Sequence, residues 1–366
     1  MNINKFSDVY KRFEKYISPI GLIYGFVFTS LTLTRVDMFL ENFWIVMHLF
    51  IASFGILALA YFENQIEQKK RPEEDRVKFH FYLTLIIQFA FGGLFSTFFV
   101  FYMRSSSLAT SWLFLLILVI LLIGNELWKK HYTRLVFQIS VLYLSLYLFL
   151  VFLLPVLFHR LGSDLFIASG VISLLAVISF GLILKKFTNE KFRSKHNTLR
   201  ISAAAIFIVM NILYFTNIIP PIPLSLKDVG VYHSIIKTND GNYKAQGELT
   251  IWSDRLINNY PVFHLLAGET IYVFSAIFSP VEFDAKIVHL WQYYNEAEKT
   301  WIDSSRVVLS ISGGREEGFR TYSMKQFITP GLWRVKVITI HGQELGRINF
   351  RVEEATSTPE LITKTL

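Results

Sequence analysis

The sequence predicts a membrane-embedded all-α bundle of seven transmembrane helices followed by an all-β, immunoglobulin-like sandwich. Three observations carry that class. Seven apolar runs long enough to cross a bilayer lie between Ile17 and Asn217. The gaps between them are alternately rich and poor in Lys and Arg. After Pro220 the apolar spacing changes from the period of a helix to that of a strand.

The composition agrees. Of 366 residues, 52% are hydrophobic and 17% charged, with 35 phenylalanines. Soluble domains carry about 45–50% apolar and about 25% charged residues. The expected spans are Ile17–Thr34, Phe43–Phe62, Phe79–Met103, Leu108–Trp128, Leu135–Phe158, Asp164–Leu184 and Ile201–Asn217. Each must be a helix, because lipid offers no partner to an unpaired backbone group. Four basic residues precede the first span, and the second, fourth and sixth gaps hold five, three and six. The first, third and fifth gaps hold one each: Arg35, Arg104 and Arg160. Basic loops stay in the cytoplasm. The N-terminus is therefore expected inside and, after an odd number of spans, the C-terminal domain outside. Residues 1–16 place Phe6, Val9, Tyr10 and Phe13 at helical spacing among lysines, which reads as an amphipathic helix on the inner leaflet.

Pro220-Pro221-Ile222-Pro223 ends the seven-helix domain at residue 220. The outer domain is expected over residues 225–354, with a disordered tail at 355–366. Strands are read at Val229–Ile236, Gly247–Trp252, Thr270–Phe278, Lys286–Tyr294, Arg306–Ile311, Leu332–Ile340 and Arg347–Val352. Asp240-Gly241 and His341-Gly342 supply turns. Short strands at intervals of about 8–12 residues favour a sandwich. No cysteine is present, so disulfides, thiolate metal sites and Cys nucleophiles are excluded. The net charge of +8 resides in the membrane part: residues 1–220 hold 21 basic and 12 acidic groups, and residues 221–366 hold 15 and 16. No nucleic-acid partner is expected from that distribution.

From Gly247 to Val352 the pieces Tyr260-Pro261-Val262, Ile271–Ser275, Val288-His289-Leu290-Trp291, Gly313-Gly314-Arg315, Arg320–Ser323, Pro330–Val335 and Gly342–Arg347 occur in one order. In these the chain resembles the bacterial domain of unknown function 2914. The resemblance implies a multi-span region in front of the domain and a setting in the bacterial cytoplasmic membrane and envelope. It implies no activity and supplies no catalytic residue.

Candidate binding residues follow from residue chemistry. His289 and Trp291 share one strand face. They read either as a platform for a sugar or peptide, or as a core Trp beside a hydrogen-bonded His. Gly313-Gly314-Arg315 would let the backbone approach a bound group while the Arg fork grips a carboxylate or phosphate, with Arg320 and Ser323 nearby. The bland alternative is a tight loop with Arg315 paired to a neighbouring acid. Arg35, Asp37, Arg104, Arg160 and Asp164 stand at the outer ends of the spans. They form either a polar mouth or ordinary interfacial caps. Gln88, before Gly92-Gly93, is expected to bond another helix. His233, His264, His289 and His341 lack metal-ligand spacing. No metal, cofactor or catalytic residue is expected. Beyond the lipid bilayer, the expected partner is an envelope glycan, lipid head group or protein. The alternative is an envelope enzyme or lipid-substrate transporter working in the bundle.

Overall fold

The computed structural model describes residues 27, 29, 31–33, 38–127, 135–188, 196–239, 242–248, 260–280, 284–313, 318–357 and 359–366. The chain divides into two compact units: residues 1–104, 112–158 and 162–218, and residues 105–111, 159–161 and 219–366.

The first unit is helical. Its elements are α1 (Phe39–Glu67), α2 (Glu73–Arg104), α3 (Leu108–Leu127), α4 (Leu135–Phe158), α5 (Ser163–Leu184) and α6 (His196–Phe215). Among the described residues, six helices are long and apolar enough to cross a membrane. The expected first span falls almost wholly outside the described residues, as do the 1–16 segment and the pair Arg35 and Asp37.

Small residues let these helices approach. A methyl group on Gly93 of α2 would sit 2.6 Å from the His48 ring of α1, and one on Gly55 would sit 2.7 Å from Ile87. Gln88 bonds another helix, as its sequence position suggests: its Nε2 donates to the Asn125 backbone carbonyl of α3 at 3.5 Å, and Asn125 Nδ2 donates to the Gln88 backbone carbonyl at 3.0 Å. Helix α4 is enclosed, burying Tyr143, Tyr147, Leu148 and Phe152 among others. Tyr147 stacks on Phe207 of α6 and packs tilted against Phe166 of α5, and Asn211 Nδ2 donates to its hydroxyl at 3.3 Å.

The second unit is β-rich, with eleven strands among the described residues. They are β1 (Ser225–Tyr232), β2 (Ser234–Lys237), β3 (Tyr243–Glu248), β4 (Val262–Leu265), β5 (Ile271–Phe278), β6 (Ala285–Asn295), β7 (Thr300–Ile311), β8 (Phe319–Lys325), β9 (Gly331–Thr339), β10 (Glu344–Glu354) and β11 (Leu361–Thr365). One sheet runs β1-β5-β8, a second β4-β10-β9-β6-β7, and a third β11-β3-β2. The final strand corrects the expectation of a disordered tail. Leu361–Thr365 pairs antiparallel with β3, residue for residue from Glu248 to Lys244. Backbone hydrogen bonds to an otherwise open edge order this polar segment.

The main core lies between the inward faces of the first two sheets. Val229, Val231, Ile271 and Val273 from one meet Phe263, Trp291, Trp333, Val335 and Phe350 from the other. Polar groups are built into this core. His289 and Trp291 of β6 are both fully buried. Ser275 Oγ of β5 lies 2.9 Å from His289 Nε2, and Ser323 Oγ of β8 lies 2.8 Å from Nδ1. Trp291 Nε1 donates to the same Ser323 oxygen at 3.0 Å. One bare and one protonated ring nitrogen satisfy both serines, so the imidazole fits there neutral. Burial pushes its pKa down to about 4.

Two outcomes follow. Adding a side chain at Gly170 meets the Tyr147 hydroxyl at 2.5 Å and Phe207 at 2.8 Å. Gly170→Val should therefore lower the stability of the detergent-solubilised protein by about 1–3 kcal/mol, read as a fall in melting temperature. His289 is held below its unfolded pKa of about 6.5. Its contribution is complete above that value and is lost as pH falls toward 4, to a total of about 3 kcal/mol. Melting of the β-rich unit, followed by tryptophan fluorescence, should weaken between pH 7 and pH 4. His289→Asn should start lower and lose less across that interval.

Candidate ligand-binding surface

Among the described residues, the sequence-predicted ones do not converge on one site. Full burial removes His289 and Trp291 from any surface platform, because a ligand cannot stack on rings with no exposed face. They are the hydrogen-bonded core pair instead. Gly313 follows β7, while Gly314 and Arg315 lie outside the described residues. Arg320 Nη1 donates to Asn242 Oδ1 at 2.7 Å. Arg320 and Ser323 are three apart on β8, so the pleat sends them to opposite faces, and Ser323 is taken up by the core. Among the span-end residues, Arg104 closes α2, Arg160 follows α4, and Asp164 stands in the first turn of α5. A carboxylate there faces the positive end of the helix dipole.

The arrangement with binding chemistry is the outward face of the five-stranded sheet. Strand pairing sets Gln292 of β6 between Asp303 of β7 and Arg334 of β9, with Asn349 of β10 beyond. Gln292 Nε2 donates to Asp303 Oδ1 at 2.5 Å, and Arg334 Nε donates to Gln292 Oε1 at 2.6 Å. The guanidinium carbon lies 4.1 Å over the Trp301 ring. Tyr294 tilts against Trp301, and Tyr260 stacks parallel to it at a centroid distance of 6.5 Å. Arg334, Trp301, Tyr260 and Tyr294 are all half-buried.

Arg334 is thus oriented by a neutral amide and a ring face. Among the described residues no carboxylate reaches it, and its two terminal nitrogens have no hydrogen-bond partner. Burial and the nearby Arg347 charge lower its pKa from the ordinary arginine value. Both effects act against the cation, so an anion placed at the fork would relieve them. The same outward face carries Lys286, Arg306, Lys336, Arg347 and Arg351, against Asp303, Glu344 and Glu353. Glu344 takes up two of these cations: Arg347 donates to it through Nε at 2.7 Å and Nη2 at 3.0 Å, and Lys336 Nζ lies 3.8 Å away. Ser107 Oγ also donates to Glu344, at 2.9 Å. The acids of the β-rich unit equal its cations in number, yet the register gathers the cations on one face. Sequence distance hid this, because Asp303, Arg334 and Asn349 come from three strands.

A second cluster was equally invisible along the chain. Glu248, ending β3, receives His233 Nε2 at 3.1 Å on one oxygen and His264 Nδ1 at 2.9 Å on the other. The His264 amide donates to the same carboxylate at 2.6 Å, and Glu269 Oε2 lies 3.7 Å from His233 Nδ1. Burial raises the Glu248 pKa, but the hydrogen bonds from both histidines outweigh it and hold the carboxyl below its usual range. This cluster clamps β3 to β4 and the β1–β2 junction. Among the described residues, no group of three or more His, Asp or Glu side chains is arranged to hold a metal.

Known proteins give limited likeness. No curated protein matches the chain. Among solved structures, the β-glucosidase from Listeria innocua in complex with gluconolactone is 12% identical with a TM-score of 0.18. That match covers 34% of this chain, which spans 16% of the glucosidase. The alkylpurine DNA glycosylase AlkC of Pseudomonas fluorescens, bound to DNA with an abasic site analog, is 10% identical with a TM-score of 0.22, over 88% of this chain and 100% of that one. Scores of this size do not place the chains in one fold. The sequence resemblance has firmer support: residues 284–352, from the start of β6 into β10, match the family described as Protein of unknown function (DUF2914), within the C-terminal region.

Proposed function

We propose that the protein is a multi-pass component of the bacterial cytoplasmic membrane that presents an extracytoplasmic β-sandwich and binds an envelope ligand without chemical turnover. Six helices long enough to span, and a basic segment before a further apolar run, support seven crossings with the N-terminus in the cytoplasm. Packing of the β1-β5-β8 sheet on the five-stranded sheet through one core supports the sandwich. The observation that carries the binding function is Arg334. A desolvated guanidinium laid on a tryptophan, held by one amide and with its fork unused, is a preorganised recognition group rather than a structural ion pair.

The topology and the site can be tested together. Alkaline phosphatase fused after Leu366 should be active in cells, and a green fluorescent protein at the same place should be dark. The reverse pattern would put the β-rich region in the cytoplasm and end the envelope reading. Full-length protein in detergent should bind isolated envelope material, and Arg334→Gln should weaken that binding about tenfold, as expected for loss of one charge-assisted contact. Equal binding by the variant, with an equal melting temperature, would remove Arg334 from the site.

A further inference from the structure

Building on the Arg334 surface as a binding site, we propose that its ligand is an acidic glycan: sugar rings bearing carboxylate or phosphate groups. Two kinds of group meet here in a fixed arrangement. Trp301, Tyr260 and Tyr294 form a half-exposed aromatic cluster at the β6–β7 hairpin end of the sheet. Flat rings of this kind cover the apolar C–H faces of a sugar. Directly beside them the unused fork of Arg334 presents two parallel donors, the geometry that pairs with a carboxylate or phosphate.

The surroundings extend the same chemistry beyond one contact. Asn349 neighbours Arg334 in the sheet, and its Oδ1 is buried without a hydrogen-bond partner among the described residues. An amide in that position can turn either its carbonyl or its NH2 group toward a hydroxyl. Arg351, exposed one register step along β10, and Arg306, exposed on β7, have no ion-pair partner among the described residues. Adjacent strands lie about 4.8 Å apart. Cations on β7, β9 and β10 therefore form a broad array across the sheet, suited to a chain with repeated negative groups rather than to one small anion. A neutral glycan would satisfy the rings but leave the guanidinium charge uncompensated. A simple anion would satisfy the fork but leave the rings uncovered. The acidic sugar chain is the ligand class that answers both.

The test uses the full-length protein in nanodiscs and titrates four probes: oligogalacturonate, phosphorylated dextran, unmodified dextran of matched length and inorganic phosphate. Vesicles of phosphatidylglycerol serve as a competitor. The two acidic glycans should bind, while dextran and phosphate should bind at least about tenfold more weakly, since each lacks one set of contacts. Raising salt should weaken the acidic probes. Arg334→Gln and Trp301→Ala should each lose about tenfold with unchanged melting, and Arg334→Lys should recover part of the loss, because it restores charge without the fork. Dextran binding as tightly as oligogalacturonate, phosphate or lipid vesicles competing fully, or variants binding as well as the parent, would each overturn the proposal. Retention of Arg334-dependent binding to envelope material alongside failure of both acidic glycans would overturn the ligand class alone. Loss of both would overturn the surface as a binding site too.

Discussion

The alternation of side chains along β6 is the constraint on which the β-rich unit depends. A strand places successive residues on opposite faces, and β6 uses both faces fully. His289 and Trp291 go inward, where two serines from the facing sheet complete their hydrogen bonds. Leu290, Gln292 and Tyr294 go outward, where Gln292 orients Arg334. A slip of one residue would bury Gln292 in the apolar core and expose the tryptophan. The same register that makes the core therefore makes the site, and neither can be moved without the other.

The buried serine–histidine–tryptophan network adds specificity to that register. Apolar contacts alone tolerate many neighbouring alignments. A buried imidazole between two hydroxyls does not, because an unpaired polar group in this core costs more than a lost methylene. Three strands, β5, β6 and β8, supply the partners. Their mutual alignment is thus fixed by donor and acceptor matching as well as by shape.

Much of the architecture was legible in the sequence for one reason: lipid enforces long apolar runs, and such runs survive without knowledge of tertiary contacts. Gln88 was legible too, since an amide within an apolar helix needs a partner on another helix, and the Asn125 backbone carbonyl provides it. Strands β4 and β11 were not legible. Each is short: β4 offers only Phe263 and Leu265 to the core, and β11 is held by backbone pairing with β3 rather than by an apolar alternation of its own. The candidate site failed to show for a related reason. Its members are ordinary residues far apart in the chain: Gln292 of β6, Trp301 and Asp303 of β7, Arg334 of β9 and Asn349 of β10 are brought together by register, with Tyr260 stacked on Trp301 from before β4.

Two arginines of the β-rich unit differ in what surrounds them. Arg320 has its guanidinium engaged with Asn242. Arg334 stands in the strand sequence Leu332-Trp333-Arg334-Val335, between two core residues, and looks like a solvated outward position. Its distinction is physical rather than local. Half-burial against Trp301 strips water from the cation, Arg347 repels it, and a neutral amide orients it without cancelling its charge. A structural arginine of that burial would be expected to carry a carboxylate, as Arg347 does with Glu344. Asp303 is close enough to raise the Arg334 pKa, yet it bonds Gln292 instead of the guanidinium. The sheet thus contains a fully neutralised arginine and, one strand pair away, an oriented arginine with its fork open. That difference in surroundings is the physical basis of the proposal that Arg334 binds while Arg347 stabilises.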